Sequence, residues 1–257
     1  EMITELTKTK QYRMIQLVNF TDRKCDRSET MTTAFSSFAF ILEDNLLAYR
    51  DLILSRGRAP VFFPKSTVIS SGGVPSPYIY FLLEGLVRIS VFGPQGYERI
   101  LGYHKKNTLF AMDGLRRDQG VIVTTTALTQ VEAVRLSLED LSVLFQQDPR
   151  FAADVVLYYS DVLKLMCYDA ESQSSNDTRA KLANFILLFM QCADYQALGY
   201  IPFSQSELAS AIGASRIQVA RVCRTLKAEG LIQVGKRRLM VLDPERLGQS
   251  ASYQGFP

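Results

Sequence analysis

Short apolar runs separated by turn-forming residues mark the middle of the chain, from residue 58 to about residue 138. Strands are predicted in VFFPKSTVI, YIYFLLEGLVRISVF, YERILGYH, GVIVTTTAL and QVEAVRLS, with turns in SGGVPSP and GPQG. Short strands with closely spaced turn signals are typical of an antiparallel barrel or sandwich. Gly85 lies between two apolar strands and predicts a connection without room for a side chain. The pattern predicts a β-barrel domain over residues 58–147, which ends in a short helix from Leu138 to Gln147.

A long helix is predicted over residues 148–174, with Pro149 at an early position that helices tolerate. Along it, residues recur at alternating spacings of four and three, which is the seam pattern of a coiled coil. This stripe consists of Ala152, Val156, Tyr159, Leu163, Met166, Ala170 and Gln173. We expect the stripe to join two copies of the chain, because Val155, Val162 and Leu165 supply a second apolar flank for the barrel. In the alternative, the stripe packs only on the chain's own barrel.

The two ends of this central region are less clearly patterned. Residues 1–57 form a lead-in segment, in which TDRKCDRSET is charged and FSSFAFILEDNLLAYRDLI has apolar residues near helical spacing. This spacing predicts a helix that packs on the barrel. After the long helix, the polar stretch from Ser172 to Asp177 predicts a hinge that leads into a C-terminal domain over residues 175–257.

Two helices joined by a glycine-containing turn are predicted within this C-terminal domain. Ser204 and Glu207 have the spacing of a capping box, and Gly213 permits the left-handed backbone of a tight turn. Ser215 and Gln218 repeat the capping pattern at the start of the second helix. Its core-facing positions are Val219, Val222, Cys223 and Leu226, and the positions that point away are Arg216, Ile217, Gln218, Arg221, Arg224 and Thr225.

The residues that follow complete a winged helix-turn-helix, a DNA-binding arrangement. Gly230 ends the second helix, and LIQV and LMVL form a two-stranded wing with the basic tip Lys236, Arg237 and Arg238. Arginine offers a forked donor to guanine and glutamine pairs with adenine, whereas wing cations neutralise phosphates. The predicted DNA-binding residues are Gln205, Ser215, Arg216, Ile217, Gln218, Arg221, Lys236 and Arg237.

Composition narrows the remaining functions. The chain of 257 residues is 47% hydrophobic and 21% charged, with a net charge of +3, so a nucleic-acid partner shows only in local basic patches. Four scattered cysteines make no CxxC pair, and the single histidine, His104, is too few for the usual zinc or nucleophilic sites. We expect a cytoplasmic protein that is not an enzyme and has no cofactor, metal or membrane partner. A catalytic barrel is the disfavoured alternative.

The sequence resembles the Crp/Fnr superfamily of bacterial regulators from about Arg58 to Asp243. The resemblance is carried by IYFLLEGLVRISV, GYERIL, the long helix and SQSELASAIGASRIQVARVCRTLKAEGLI. FLLEGLVRISVFGPQGYERILGYHKKNTLF is most similar to the CprK-type regulators of organohalide respiration. The resemblance implies an α+β fold with an N-terminal double-stranded β-helix (a jelly-roll-like effector-binding barrel), a long dimerisation helix and a C-terminal winged helix-turn-helix.

Departures from the superfamily's patterns bear on the effector. Ala111-Met112 and Val121-Ile122 stand where cyclic-nucleotide members carry Gly-Glu and Arg-Ser, so a cyclic phosphate would be buried without a counter-charge and cAMP is not expected. Cys25 alone cannot hold an iron–sulfur centre, and His104 does not match a haem ligand position. The resemblance instead implies an aromatic or halogenated aromatic effector, such as a halogenated phenolic acid. The implied effector residues are Tyr103, Met112, Thr124, Tyr159 and Lys164, with Met112 in place of a lysine and Lys164 as its substitute.

The resemblance also implies how the DNA is read. Arg216 and Arg221 match the superfamily's base-reading arginines, and Ile217 stands where many members have Glu. Isoleucine packs on a thymine methyl group, so we expect a homodimer on an inverted repeat with A/T-rich half-sites about one helical turn apart. RNA polymerase is the further implied partner. Two alternatives remain open: a constitutive DNA-binding regulator with an orphan barrel, and a cyclic-nucleotide-responsive regulator.

Overall fold

The computed structural model describes residues 40–56, 58–93, 96–115, 119–174 and 177–252. All of them fall in one compact unit, Phe35–Pro257. The charged stretch near Cys25 and residues 35–39, the start of the predicted lead-in helix, lie outside the described residues. So do Pro94 and Gln95 of one predicted turn, and Ser175 and Asn176 of the predicted hinge.

Two sheets form the barrel, and short strands build both. The strands are β1 Ile41–Leu42, β2 Val61–Phe63, β3 Val68–Ser70, β4 Ile79–Glu84, β5 Val87–Phe92, β6 Glu98–His104, β7 Leu109–Phe110, β8 Thr124–Ala127 and β9 Val131–Leu136. One sheet has the order β1-β6-β5-β8-β3, and the other has the order β2-β9-β4-β7. All pairings within the two sheets are antiparallel except that of β1 with β6. This confirms the predicted barrel, although VFFPKSTVI forms two strands and β7 was not predicted.

The connection between β4 and β5 explains the glycine at position 85. Gly85 has φ +103°, and a Cβ there would collide with the carbonyl oxygen of Gln130. A side chain is therefore excluded both by the backbone conformation and by the close approach of the neighbouring chain.

The predicted lead-in helix is wrong for the first half of its described part, from Phe40 to Leu46. Phe40 is in a bend, β1 follows, and only a 3₁₀ turn at Leu47–Tyr49 and the short helix α1, Arg50–Leu54, are helical. Ile41 pairs in parallel with Tyr103 on β6, so the sheet edge supplies hydrogen bonds that override the helical spacing. The described part of the lead-in nevertheless packs on the barrel, because Leu46 and Ile53 share a hydrophobic cluster with strand residues such as Ile79.

Two helices follow the barrel: α2, Leu138–Gln147, and the long helix α3, Pro149–Ser174. The buried face of α3 consists of Phe151, Val155, Tyr158, Leu165, Tyr168 and Ser172. Its opposite face leaves Val156, Leu157 and Leu163 exposed at 69%, 62% and 63%. Val156, Leu163 and Ala170 of the predicted seam are thus exposed. The predicted seam is wrong at Tyr159 and Met166, because these two side chains pack inward against the barrel and the C-terminal domain.

We call the outward row the α3 seam. It consists of Ala153, Val156, Ser160, Leu163, Cys167 and Ala170, which keep the alternating spacing of three and four, and Leu157 flanks it. Ser160 is half-buried, and the others are exposed. The predicted hinge does not begin at Ser172, because Ser172 and Gln173 belong to the last turn of α3.

The C-terminal domain contains helices and a two-stranded wing. Its elements are α4 Thr178–Met190, α5 Ala193–Leu198, α6 Gln205–Ile212, α7 Arg216–Ala228, β10 Ile232–Gly235, β11 Arg238–Val241 and α8 Pro244–Gly248. One hydrophobic core runs from β6 through α3 into this domain, with Tyr103, Leu165 and Phe189 among its members. Among the described residues, no helix is long and apolar enough to span a membrane.

Candidate DNA-binding surface and effector cavity

The helix-turn-helix forms because both of its helices carry reciprocal caps. In α6, Glu207 Oε2 accepts from the Ser204 amide at 2.7 Å, and Ser204 Oγ accepts from the Glu207 amide at 3.2 Å. In α7, Ser215 and Gln218 make the same pair of bonds at 2.9 Å and 3.2 Å. Gly213 has φ +65° between the helices, so the predicted caps and turn are confirmed.

The outer face of α7 is exposed and basic. Arg216, Gln218, Arg221, Arg224 and Thr225 are exposed, and Ile217 is 74% exposed. Val219, Cys223 and Leu226 are buried against the rest of the domain. Among the described residues, Arg216, Arg221 and Arg224 make no ion pair. Their guanidinium groups therefore remain available to an external anion or base edge.

The wing differs in this respect. Lys236 is exposed at its tip, but Arg237 Nη1 lies 2.8 Å from Glu207 Oε2 and its Nη2 donates to the Pro202 carbonyl at 3.2 Å. Arg237 thus ties the wing to α6 in this structure. Gln205 is half-buried in the first turn of α6. The predicted DNA-binding residues thus lie on α6, on α7 with its N-cap, and at the wing.

A cavity of about 230 Å³ lies between the barrel and α3. Its wall includes Tyr103, Met112 and Tyr159, three of the five residues that the resemblance implies for the effector. Thr124 and Lys164 are not in the wall. Thr124 Oγ1 accepts from the Gly72 amide at 3.1 Å, and Lys164 is half-exposed and donates to Asp161 at 2.9 Å. The Tyr103 ring packs away from the barrel, with its centroid 5.6 Å from those of Phe40 and Phe203.

His104 provides a neutral polar group in the cavity wall. The Tyr158 hydroxyl donates to the Leu109 carbonyl at 2.8 Å and lies 3.1 Å from His104 Nδ1. Because a hydroxyl has one hydrogen and a carbonyl oxygen only accepts, His104 Nδ1 carries the proton and donates to Tyr158. Nε2 is then an acceptor. Burial lowers the pKa of His104 from 6.5 to about 4, so the ring is neutral at pH 7.

Asp113 lies at the exposed mouth of the same cavity. Its Oδ2 accepts from the backbone amides of Ile122 and Val123 at 2.7 Å and 3.0 Å. The carboxylate therefore occupies a pair of neighbouring amides that form an anion-binding nest. Burial, and then the charge of Asp113, raise the pKa of the Tyr159 hydroxyl well above its usual range.

Contacts between barrel and helix-turn-helix were missed by the sequence reasoning. The Tyr97 hydroxyl lies 3.0 Å from the Ala209 carbonyl and 2.9 Å from the Ala214 carbonyl, on either side of the turn. Arg99 pairs with Asp169 of α3, and a Cβ on Gly213 would collide with its guanidinium group. These partners are far apart in the sequence, so no local pattern signals them.

Comparison with known proteins agrees with this architecture. The cyclic nucleotide-binding domain family matches residues 60–148, and the Crp-like helix-turn-helix domain family matches residues 180–250. The global nitrogen regulator of Nostoc sp. is 24% identical over 73% of this chain and 86% of its own length. The CRP-like cAMP-activated global transcriptional regulator of Mycobacterium tuberculosis is 22% identical over 77% of this chain and 90% of its own. The OCPA-complexed structure of CprK has TM-score 0.67 and 16% identity, and the match covers 83% of this chain and 98% of that one.

Proposed function

Since the chain belongs to the Crp/Fnr family of DNA-binding transcription regulators, we propose that it acts as a homodimer on an inverted repeat and responds to a small molecule in the cavity between barrel and α3. The two α7 helices enter successive major grooves, and the DNA-bound dimer contacts RNA polymerase. The effector works by population shift, because it binds one domain arrangement more tightly than the other. Equal effector affinity of free and DNA-bound protein contradicts this mechanism by linkage.

The unpaired basic face of α7 is the observation that carries DNA binding. A surface salt bridge contributes little free energy, so a single arginine without an ion pair does not by itself indicate a binding site. Here three arginines share one exposed helix face, next to a capped turn and a wing. Arginine reads guanine through two parallel hydrogen bonds, and Ile217 offers an apolar contact to thymine.

Arg221→Ala is expected to weaken specific DNA binding by about 30-fold or more. A base-reading arginine contributes about 1–3 kcal/mol, and the two-fold dimer loses the contact in both half-sites. The measurement is fluorescence anisotropy on a duplex selected from a random library by the wild-type protein. Lys227→Ala is the matched control, because Lys227 is an exposed cation in the last turn of the same helix. Equal losses in the two variants contradict base reading by Arg221.

The α3 seam carries the proposal of a dimer. Apolar side chains exposed at coiled-coil spacing are expected to pack against a second copy. Cys167 lies in this row and is exposed, whereas Cys192 and Cys223 are buried. In a two-fold seam each residue approaches its own copy, so the two Cys167 thiols come close.

A short bis-maleimide is therefore expected to cross-link the native protein into dimers through Cys167. The measurement is denaturing electrophoresis of protein treated at micromolar concentration. Cys167→Ser is the control and removes the dimer band if the bridge forms there. A band that persists in Cys167→Ser, or no band from a protein that sediments as a dimer, places the interface elsewhere.

A further inference from the structure

We infer that the cavity between barrel and α3 binds a neutral aromatic molecule with one hydrogen-bond donor, such as an uncharged phenol, and discriminates against the matching carboxylate anion. This inference rests on the proposed function, because it assigns a chemical class to the effector of that site. It replaces the expected halogenated phenolic acid, which is an anion at pH 7, by uncharged aromatic compounds.

The size and lining of the cavity favour one aromatic ring with a short substituent. Its volume is about 230 Å³, whereas a dry apolar cavity of about 150 Å³ already binds benzene in a well-studied protein. Leu101, Leu109, Phe110, Val162 and Met166 supply apolar surface from β6, β7 and α3. Burial of a ring against such side chains is the main source of affinity in small-molecule sites.

The charge of the wall disfavours an anionic ligand. Among the described wall residues, no lysine or arginine is present, and Asp113 contributes a negative charge at the mouth. The amide pair of Ile122 and Val123 already holds the Asp113 carboxylate. A ligand carboxylate entering the cavity would lose its hydration, meet a like charge and find these two donors occupied.

The hydrogen-bonding groups of the wall favour a donor on the ligand. His104 Nδ1 donates to the Tyr158 hydroxyl, so Nε2, which has no hydrogen-bond partner among the described residues, is an acceptor. The Tyr159 side chain also lines the cavity, and no hydrogen bond of its hydroxyl is recorded among the described residues. A phenol donates one hydrogen to an acceptor such as Nε2, and its oxygen accepts from Tyr159. An ether of the same shape cannot donate and leaves Nε2 unpaired.

The test uses three ligands built on one para-substituted ring, with the whole chain at pH 7. They are 4-methylphenol, which is neutral because a phenol of this kind has a pKa near 10, 4-hydroxyphenylacetate and 4-methylanisole. Isothermal titration calorimetry is expected to give a Kd for 4-methylphenol at least about tenfold lower than for either of the others. Equal or tighter binding of 4-hydroxyphenylacetate, or no binding of 4-methylphenol, overturns the inference.

Two variants locate the binding and its charge preference. Val162→Trp fills the cavity and is expected to abolish binding of 4-methylphenol. Asp113→Asn removes the negative charge at the mouth and is expected to reduce the preference for 4-methylphenol over 4-hydroxyphenylacetate. Unchanged binding in Val162→Trp overturns the placement in the cavity, whether or not Asp113→Asn folds.

DNA binding is measured in the same preparations, so that the inference and the proposed function fail separately. Loss of DNA binding by the wild-type protein contradicts the proposed function, whatever the ligand does. Binding of 4-methylphenol that leaves DNA affinity unchanged supports the ligand class and contradicts the regulatory link.

Discussion

A protein carrying both Val156→Glu and Leu163→Glu is expected to be monomeric and to lose at least about 100-fold in affinity for its inverted repeat. The two side chains are 69% and 63% exposed in the single chain, so the substitutions leave the fold of the monomer intact. In a dimer, the same substitutions place carboxylates of both copies against each other in an apolar seam. A monomer engages one half-site and forfeits the effective concentration of the second, which is worth about 100-fold to 10,000-fold.

Light scattering after size-exclusion chromatography measures the mass, and anisotropy measures the DNA affinity. Leu198→Glu is the matched control, because Leu198 is an exposed apolar residue of α5, away from the seam. A double variant that remains a dimer shows that another surface joins the copies. A monomer that keeps wild-type affinity contradicts the two-fold binding mode.

Lowering the pH from 8 to 5 is expected to reduce the free energy of unfolding by about 2 kcal/mol through His104. The folded-state pKa is about 4, and the unfolded-state value is 6.5. Above pH 6.5 the imidazole is neutral in both states and its contribution is fully present. As the pH falls below 6.5, the imidazole of the unfolded chain becomes protonated while that of the folded chain stays neutral. The free energy of unfolding therefore declines until about pH 4.

Urea unfolding at pH 8, 6.5 and 5 measures this dependence, and His104→Gln is the matched variant. Since the chain has one histidine, the difference between the two proteins isolates the imidazole. Carboxyl groups of ordinary pKa stay ionised over this range. If the free energy of unfolding depends on pH in the same way in wild type and His104→Gln, the pKa of His104 is not lowered in the folded protein.

The helix-turn-helix was predictable almost to the residue, because its signals are local. Caps such as Ser204 with Glu207 act over one turn, and Gly213 is required by the backbone conformation at its own position. The core-facing and outward positions of α7 also follow from helical spacing alone. The strands β4, β5, β6 and β9 were predictable for the same reason, since alternation and turn residues are features of short segments.

What escaped prediction depends on contacts between distant parts of the chain. On α3, the predicted seam and the exposed row share Val156, Leu163 and Ala170 and differ by one position at the residues between them, which helical spacing alone does not decide. The strand β1 depends on the edge of β6, and the Asp113 carboxylate depends on amides nine and ten residues further on. Tyr97 contacts the helix-turn-helix across 112 residues.

The continuous hydrophobic core between barrel, α3 and the C-terminal domain limits how freely this regulator can be recombined with its relatives. A chimaera that joins this barrel to a foreign DNA-binding domain inherits Tyr103 and Phe40, whose rings pack on Phe203. It also inherits Tyr97 and Arg99, which fit the backbone of this particular turn. Biosensors built from this protein should therefore keep its own DNA-binding domain. Their DNA-sequence specificity is then changed by substitutions on the outer face of α7.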